Sequence, residues 1–429
     1  MKGLSPLPNA LYLFGGRILS ALFTFFATLY SAQRVGVINF GWLSFALSLV
    51  SYALILTDFG LLTFGVRELS SGRREERLPQ QIITFRLFLS LIVFIILLFI
   101  TQVLKKPAGV KRLIFFYSLF LFINSLSLEW FFQSKERMDY VGINRVLTSF
   151  GYLFFLLLLV RKEGDYAKVP FAFHLGQALG IIFLLLAYER GGRRFFFTLN
   201  FKVFKEIFLS AFPLGIINVL QIFYTYFGII LLGLIGQSEE LGIYSAMHRL
   251  LFSTLIIDFV FSFLFLPLIS SFVQTQPEKL PKVLEISNRF ILLLTLPVIL
   301  IVLIFSPSLI SLFFGKAYLK GEDLLRILIF FLPLTTLSTL YAASLIAQKK
   351  ERFLLRNTGL GTLLNILLSF LFYPQWRGFG IALAFVIGEL VILALNLLSV
   401  RRMINFSFAR AFLPIVTNQE IRFLTRREV

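Results

Sequence analysis

Between Asn9 and Ser70 the chain carries two long apolar stretches, NALYLFGGRILSALFTFFATLYSAQ and FGWLSFALSLVSYALILTDFGLLTFGV. Each exceeds the ~20 apolar residues that an α-helix needs to cross about 30 Å of hydrocarbon. The interruptions are few. Arg17 lies inside the first stretch and Arg34 at its end; Asp58 lies inside the second, and Arg67 and Glu68 mark where it stops. A charge at membrane depth costs ~2.5 kcal/mol or more, so such residues face a protein interior or a water-filled cavity. The pair therefore predicts part of a polar cavity wall rather than a simple anchor.

The rest of the chain repeats that pattern. Hydrophobic residues make up 58% of it and charged residues 15%, with mean hydropathy +0.87. Recurrent long apolar runs imply an all-α polytopic membrane protein. A transmembrane barrel would show short alternating segments instead. The formal charge of +19 would suggest nucleic acid in a soluble protein. Here the basic residues sit mostly in short loops, so topology explains them first and no nucleic-acid partner is expected. Cysteine is absent, which removes disulfides and thiolate metal sites. Lys2 precedes the first apolar segment without a clear small-residue cleavage site, which reads as a retained span rather than a removed signal peptide.

Twelve spans are expected: 9–33, 40–65, 82–104, 112–132, 142–160, 169–188, 207–235, 243–271, 284–305, 324–347, 357–373 and 379–400. With the N-terminus cytoplasmic, the denser basic loops, including Arg73-Arg74, Arg193-Arg194 and Arg401-Arg402, share its side. Arg86 and Arg145 fall in that same count. The bias predicts both ends cytoplasmic in a prokaryotic inner membrane. Short echoes link the two halves. Gly41 and Ser44 correspond to Gly242 and Ser245, Asp58 to Asp258, and Gln133–Arg137 to Gln348–Arg352. They start from one side, so the repeat reads as two six-helix bundles related by a pseudo-twofold along the membrane normal. The expected domains are a lobe over 1–190, a basic linker over 191–206, a second lobe over 207–400, and an amphipathic cytoplasmic tail over 401–429 that meets membrane lipid.

Several stretches carry a family likeness: Arg34-Val35-Gly36 through Phe45, TDFGLLTFGVRELS from Thr57, EWFFQSKERMDY from Glu129, LGIYSAMHRL from Leu241, LFFGKAYLKGEDLLRIL from Leu312, and AQKKERFLLRNTGLGTLLNILLSF from Ala347. In this order they resemble the polysaccharide transporter family of Wzx-type O-antigen flippases, a branch of the multidrug/oligosaccharidyl-lipid/polysaccharide (MOP) exporter superfamily. The resemblance implies a two-lobed, MATE-like transporter that carries undecaprenyl-diphosphate-linked oligosaccharide to the periplasmic leaflet by alternating access through a cationic central cavity. Its partners would be the lipid-linked glycan and other polysaccharide assembly proteins. Such families often place an acid in span seven, whereas Tyr224 to Leu232 holds none.

A lipid diphosphate calls for fixed positive charge, and the planar guanidinium fork suits it. Arg17 and Arg249 are the candidates; the plainer reading of each is snorkelling or a local pair. Asp58, Asp258, Glu129 and Glu389 are candidates for coupling or gating. Each could bind a proton or sodium ion, or hold an arginine. Asp58 has a structural alternative in Arg67 or a neighbouring backbone group, and Glu129 could meet Arg137 or Arg145. Asn218, Gln221, Tyr224 and Thr225 place polar groups on span seven, where they could meet sugar hydroxyls or pair between helices. His174 and His248 read as structural. No metal, cofactor, nucleotide or catalytic motif is present, so the chain reads as a non-enzyme. The alternatives are a polyprenyl-linked polysaccharide polymerase or glycosyltransferase, and a MATE-like small-molecule antiporter.

Overall fold

The architecture is that of a computed structural model, which describes residues 6–72, 77–192 and 196–404. The expected tail from Asn405 and part of the expected linker lie outside the described residues. The described elements are helices, and ten candidate spans are long and apolar enough to cross a membrane.

The chain divides into two compact units, with the boundary between Ser245 and Ala246. The first holds α1 (Pro6–Asp58), α2 (Leu61–Ser70), α3 (Leu78–Val103), α4 (Ala108–Ser118), α5 (Phe120–Ser125), α6 (Glu129–Ser134), α7 (Met138–Leu159), α8 (Val169–Arg190) and α9 (Phe201–Ile235). Helix α10 (Ser238–Thr254) contains the boundary. The second unit continues with α11 (Ile256–Thr275), α12 (Leu280–Phe313), α13 (Glu322–Leu328), α14 (Phe331–Ala347) and α15 (Glu351–Arg401).

Ten spans stand where the sequence predicts twelve because two expected pairs are continuous. Helix α1 takes in the first two, with non-helical backbone at Gly36 (φ 77°, ψ 166°). Helix α15 takes in the last two, broken at Arg377 (φ 51°, ψ −136°) just after Pro374. Glycine allows the first break, since a positive φ strains a side chain. Proline removes a hydrogen bond near the second, and the Arg377 Nη1 donates to Tyr373 Oη at 3.3 Å.

The lipid-facing surface is legible on α3. Leu91, Ile95 and Phe99 are exposed, whereas Val93, Leu97 and Thr101 are buried. An exposed apolar stripe of that length belongs in lipid. Lipid gives helices no hydrophobic reason to associate, so close packing must hold them. A Cβ on Gly16 of α1 would lie 2.5 Å from Gly142 Cα of α7. Gly176 and Gly180 form a GxxxG pair on α8, and a Cβ at either would strike Thr148 of α7. Helix α7 is thus clamped between α1 and α8 at backbone distance. One end of the first unit is filled by Leu61, Phe64, Ile82, Trp130, Tyr188 and Ile207. The second has its own core, which includes Phe261, Ile269, Leu284, Ile291, Leu337 and Tyr341.

The sequence echoes have structural counterparts. Gly41 and Gly242 face one another: a Cβ on Gly41 would sit 2.7 Å from the Gly242 amide nitrogen. The turns after α6 and α14 share one helix-ending motif, but in a shifted register. Glu136 (φ 54°) and Lys349 (φ 59°) are left-handed. The next amides reach back to close each helix, Arg137 to Phe132 O at 2.9 Å and Lys350 to Leu345 O at 2.8 Å. Glu136 therefore corresponds to Lys349, two residues before Glu351, which the sequence pairs it with.

Candidate functional site

Five helices of the first unit surround a cavity of about 160 Å³ with polar walls. Helix α7 supplies three of its lining residues. Asn144 and Thr148 share one face by their i, i+4 spacing, and Arg145 stands beside them. Helix α1 adds Ser20, α5 adds Asn124, and α8 adds Gln177 with the apolar side chain of Ile181. The opposite face of α7 shows Phe150, Phe154 and Leu157 to the outside, so this helix separates lipid from a polar interior.

The centre of the cavity wall is Glu129 in the first turn of α6. Its Oε1 accepts from Arg145 Nη2 at 2.5 Å and Nε at 2.9 Å. Its Oε2 accepts from Asn144 Nδ2 at 3.3 Å, and Gln133 Nε2 donates to Oε1 at 3.2 Å. The guanidinium meets the carboxylate through two nitrogens, the strong form of the contact. Of the two partners considered for Glu129, the structure brings up Arg145. Arg137 pairs instead with Asp139, Nη2 to Oδ2 at 2.7 Å. Arg145 is inside α7, within the expected span 142–160, although the charge count sets it with the cytoplasmic-side cations.

Asp58 ends α1. The chain breaks there without proline, through left-handed backbone at Phe59 (φ 32°) and Gly60 (φ 84°). Asp58 Oδ1 accepts from the Leu62 amide at 3.3 Å, at the start of α2. Its charged neighbour is Arg86, Nε to Oδ1 at 3.9 Å, and not Arg67, which pairs with Glu68. Arg86 is fully buried in α3, inside the expected span 82–104, although the charge count sets it with the cytoplasmic-side cations. Its Nη2 donates to Asn124 Oδ1 at 2.7 Å and its Nη1 to the Ser125 carbonyl at 3.3 Å. A charge so deep needs those partners. Asn124 thus joins the buried Arg86 to the wall of the cavity. Helix α9 meets the same break, where a Cβ on Gly215 would lie 2.7 Å from Phe59 O.

The remaining expected residues are spread out. Arg17 is exposed on α1, one turn before Ser20. Asn218, Gln221, Tyr224 and Thr225 lie on α9. Tyr224 is buried, and Thr225 Oγ1 donates to the Gln221 carbonyl at 2.8 Å. In the second unit, Arg249 is half-buried on α10, Asp258 lies in the first turn of α11, and Glu389 is buried in α15. His174 is buried, with Nε2 at 2.7 Å from Phe116 O. Among the described residues, no three His, Asp or Glu side chains cluster as a metal would need.

Sequence reasoning missed Asn124, Asn144, Thr148 and Gln177. The GxxxG pair around Gln177 and the polar i, i+4 pair on α7 are the signals that mark this face. Counting Arg145 among the cytoplasmic-side cations hid the rest.

The chain matches the family described as polysaccharide biosynthesis protein over residues 7–273 and MatE over residues 213–371. A curated Shigella dysenteriae protein named for O-antigen transport is 24% identical over 292 residues, covering 66% of this chain and 71% of that protein. Among solved structures, the lipid II flippase MurJ in an inward closed conformation superposes with TM-score 0.75 at 15% identity, over 96% of this chain and 95% of that one. An inward-facing multidrug resistance MATE family transporter of the MOP superfamily gives 0.71 at 14% identity, over 92% and 98%. These structural likenesses share the all-α fold with the membrane-spanning helices described above. With the family match over residues 7–273, more than half of its length, this chain belongs to the polysaccharide biosynthesis protein family.

Proposed function

We propose that the protein is a flippase that carries a polyprenyl-diphosphate-linked oligosaccharide, of the undecaprenyl class, from the cytoplasmic to the periplasmic leaflet by alternating access. The observation that carries this reading is the match of residues 7–273 to the polysaccharide biosynthesis family. The curated relative named for O-antigen transport and the fold shared with a lipid II flippase support it. So does a charged cavity inside a unit whose outer faces suit lipid.

Each half supplies a guanidinium for the diphosphate along a cationic path. Arg17 on α1 and Arg249 on α10 are the residues, because phosphate oxygens favour the planar fork. Asn218, Gln221, Tyr224 and Thr225 offer glycan contacts on α9. Asp58, Asp258, Glu129 and Glu389 serve coupling or gating, with sodium ion or proton as the coupled species. The protein sits in the inner membrane with both ends cytoplasmic, alongside other polysaccharide assembly proteins. The MatE match over 213–371 favours a second reading, a small-molecule antiporter.

One experiment separates the two. The Arg17→Ala/Arg249→Ala variant is expressed in cells that lack their own flippase, and outward-facing glycan is measured. At normal protein levels it falls by about tenfold or more, since the loss of even one of the two charge-assisted contacts gives about tenfold. Unchanged glycan export would remove the proposed diphosphate grip. Drug efflux without glycan export by the unaltered chain would favour the antiporter.

A further inference from the structure

The cavity of the first unit has the chemistry of a sugar site. It holds about 160 Å³, room for several waters. Its charges cancel, since the Glu129 carboxylate is held by Arg145 at 2.5 Å. A site for a metal or sodium ion would leave net negative charge, and a site for phosphate would leave net positive charge. Around this neutral pair stand amides and hydroxyls that both donate and accept, from Asn144, Gln177, Ser20 and Thr148. Asn144 is only 7% exposed, and its Oδ1, packed against Gly180, has no hydrogen-bond partner among the described residues. An orphaned acceptor of this kind costs free energy unless a ligand or water donates to it. Ile181 gives one apolar wall for the C–H face of a ring.

We infer that this cavity binds one neutral sugar ring of the transported glycan, with Asn144, Thr148 and Gln177 reading its hydroxyls. The inference rests on the flippase reading above and adds to it a specificity subsite that is separate from the diphosphate contacts. Glu129 and Arg145 orient the amides and add hydrogen bonds without adding net charge.

The test uses the full chain in proteoliposomes, with a polyprenyl diphosphate bearing a single N-acetylhexosamine as transported lipid. The sugar-free polyprenyl diphosphate is the competitor. Gln177→Leu and Thr148→Val each remove hydrogen-bonding groups and leave the Glu129–Arg145 pair in place. In Gln177→Leu the KM for the sugar lipid rises about tenfold, and in Thr148→Val about threefold, as expected for one or two hydrogen bonds to a ligand. The inhibition constant of the sugar-free lipid moves by less than about twofold, which also shows that the variants are folded. An unchanged KM in both variants overturns the sugar site. So does a matching rise in KM and inhibition constant, which would make the cavity part of diphosphate binding or of the framework. Sodium-dependent thermal stabilisation that is present in the unaltered protein and lost in Gln177→Leu would make it a cation site instead. If the unaltered chain flips neither lipid, the flippase reading itself fails.

Discussion

The interiors of the two units solve the problem of buried polarity differently. In the first unit, charge is drawn in and arranged beside free volume. Arg86 is fully buried against Asp58, and Arg145 holds Glu129 on the wall of a cavity. In the second, where Glu389 is also buried, a cluster of neutral side chains closes on itself. Asn357 Nδ2 donates to Asn396 Oδ1 at 2.9 Å and to Ser399 Oγ at 3.2 Å. Asn396 Nδ2 in turn donates to Ser338 Oγ at 3.1 Å, joining α15 to α14. The difference separates two uses of polar groups at membrane depth. Amides that satisfy one another fasten helices together. Ion pairs beside open space are costly as mere fasteners, and they mark where a ligand passes or a helix moves.

The comparison breaks most visibly at Arg86. Arg86→Leu leaves the half-buried Asp58 without its counter-charge and leaves Asn124 and Ser125 without their buried donor. The expected loss is about 3–5 kcal/mol of stability, seen as a large fall in thermal midpoint in detergent. The Asp58→Asn/Arg86→Leu double variant recovers most of it. A double variant as unstable as the single one would show that the charge pair is not what matters.

Gly176→Leu comes next. Its side chain would drive into the α7 backbone at Thr148 and Tyr152, at an expected ~1–3 kcal/mol from overpacking. The same assay checks it, and an unchanged midpoint would mean that α7 and α8 do not approach as closely as described.

Glu129→Gln sharpens the contrast through transport. Both members of its pair are partly accessible, so stability changes little, while glycan flipping falls by about tenfold as Arg145 loses its counter-charge. Asn396→Ala is the smallest change and the opposite case. It costs about 1 kcal/mol and leaves the turnover per folded molecule unaltered. Equal effects of the two variants on turnover would erase the distinction between the units.

Much of the fold was legible because lipid imposes a length. Any run such as Ala10 to Gln33 must be a helix once it crosses hydrocarbon, since its backbone groups have no other partners. The merging of spans at Gly36 and Arg377 was not legible. Apolar runs report depth, but not whether the turn between them is loop or helix. Asp58 and Glu129 stand out in sequence because a lone acid in an apolar run is rare. Their partners do not. Arg86 and Arg145 lie near span ends, where arginine is ordinary, and only the folded chain shows that both point inward. Asn144 and Gln177 are quieter still, because a neutral amide leaves no trace in hydropathy until its neighbours are known.

Transport of a lipid-linked glycan can be measured with purified protein in liposomes. A polyprenyl-diphosphate oligosaccharide is placed in one leaflet, and its glycan is probed with a membrane-impermeant lectin on the other side. The expected result is that the glycan reaches the lectin only in vesicles that contain the protein, and more slowly with Arg17→Ala/Arg249→Ala. Equal lectin access in protein-free vesicles, or none in vesicles that hold correctly folded protein, would contradict it.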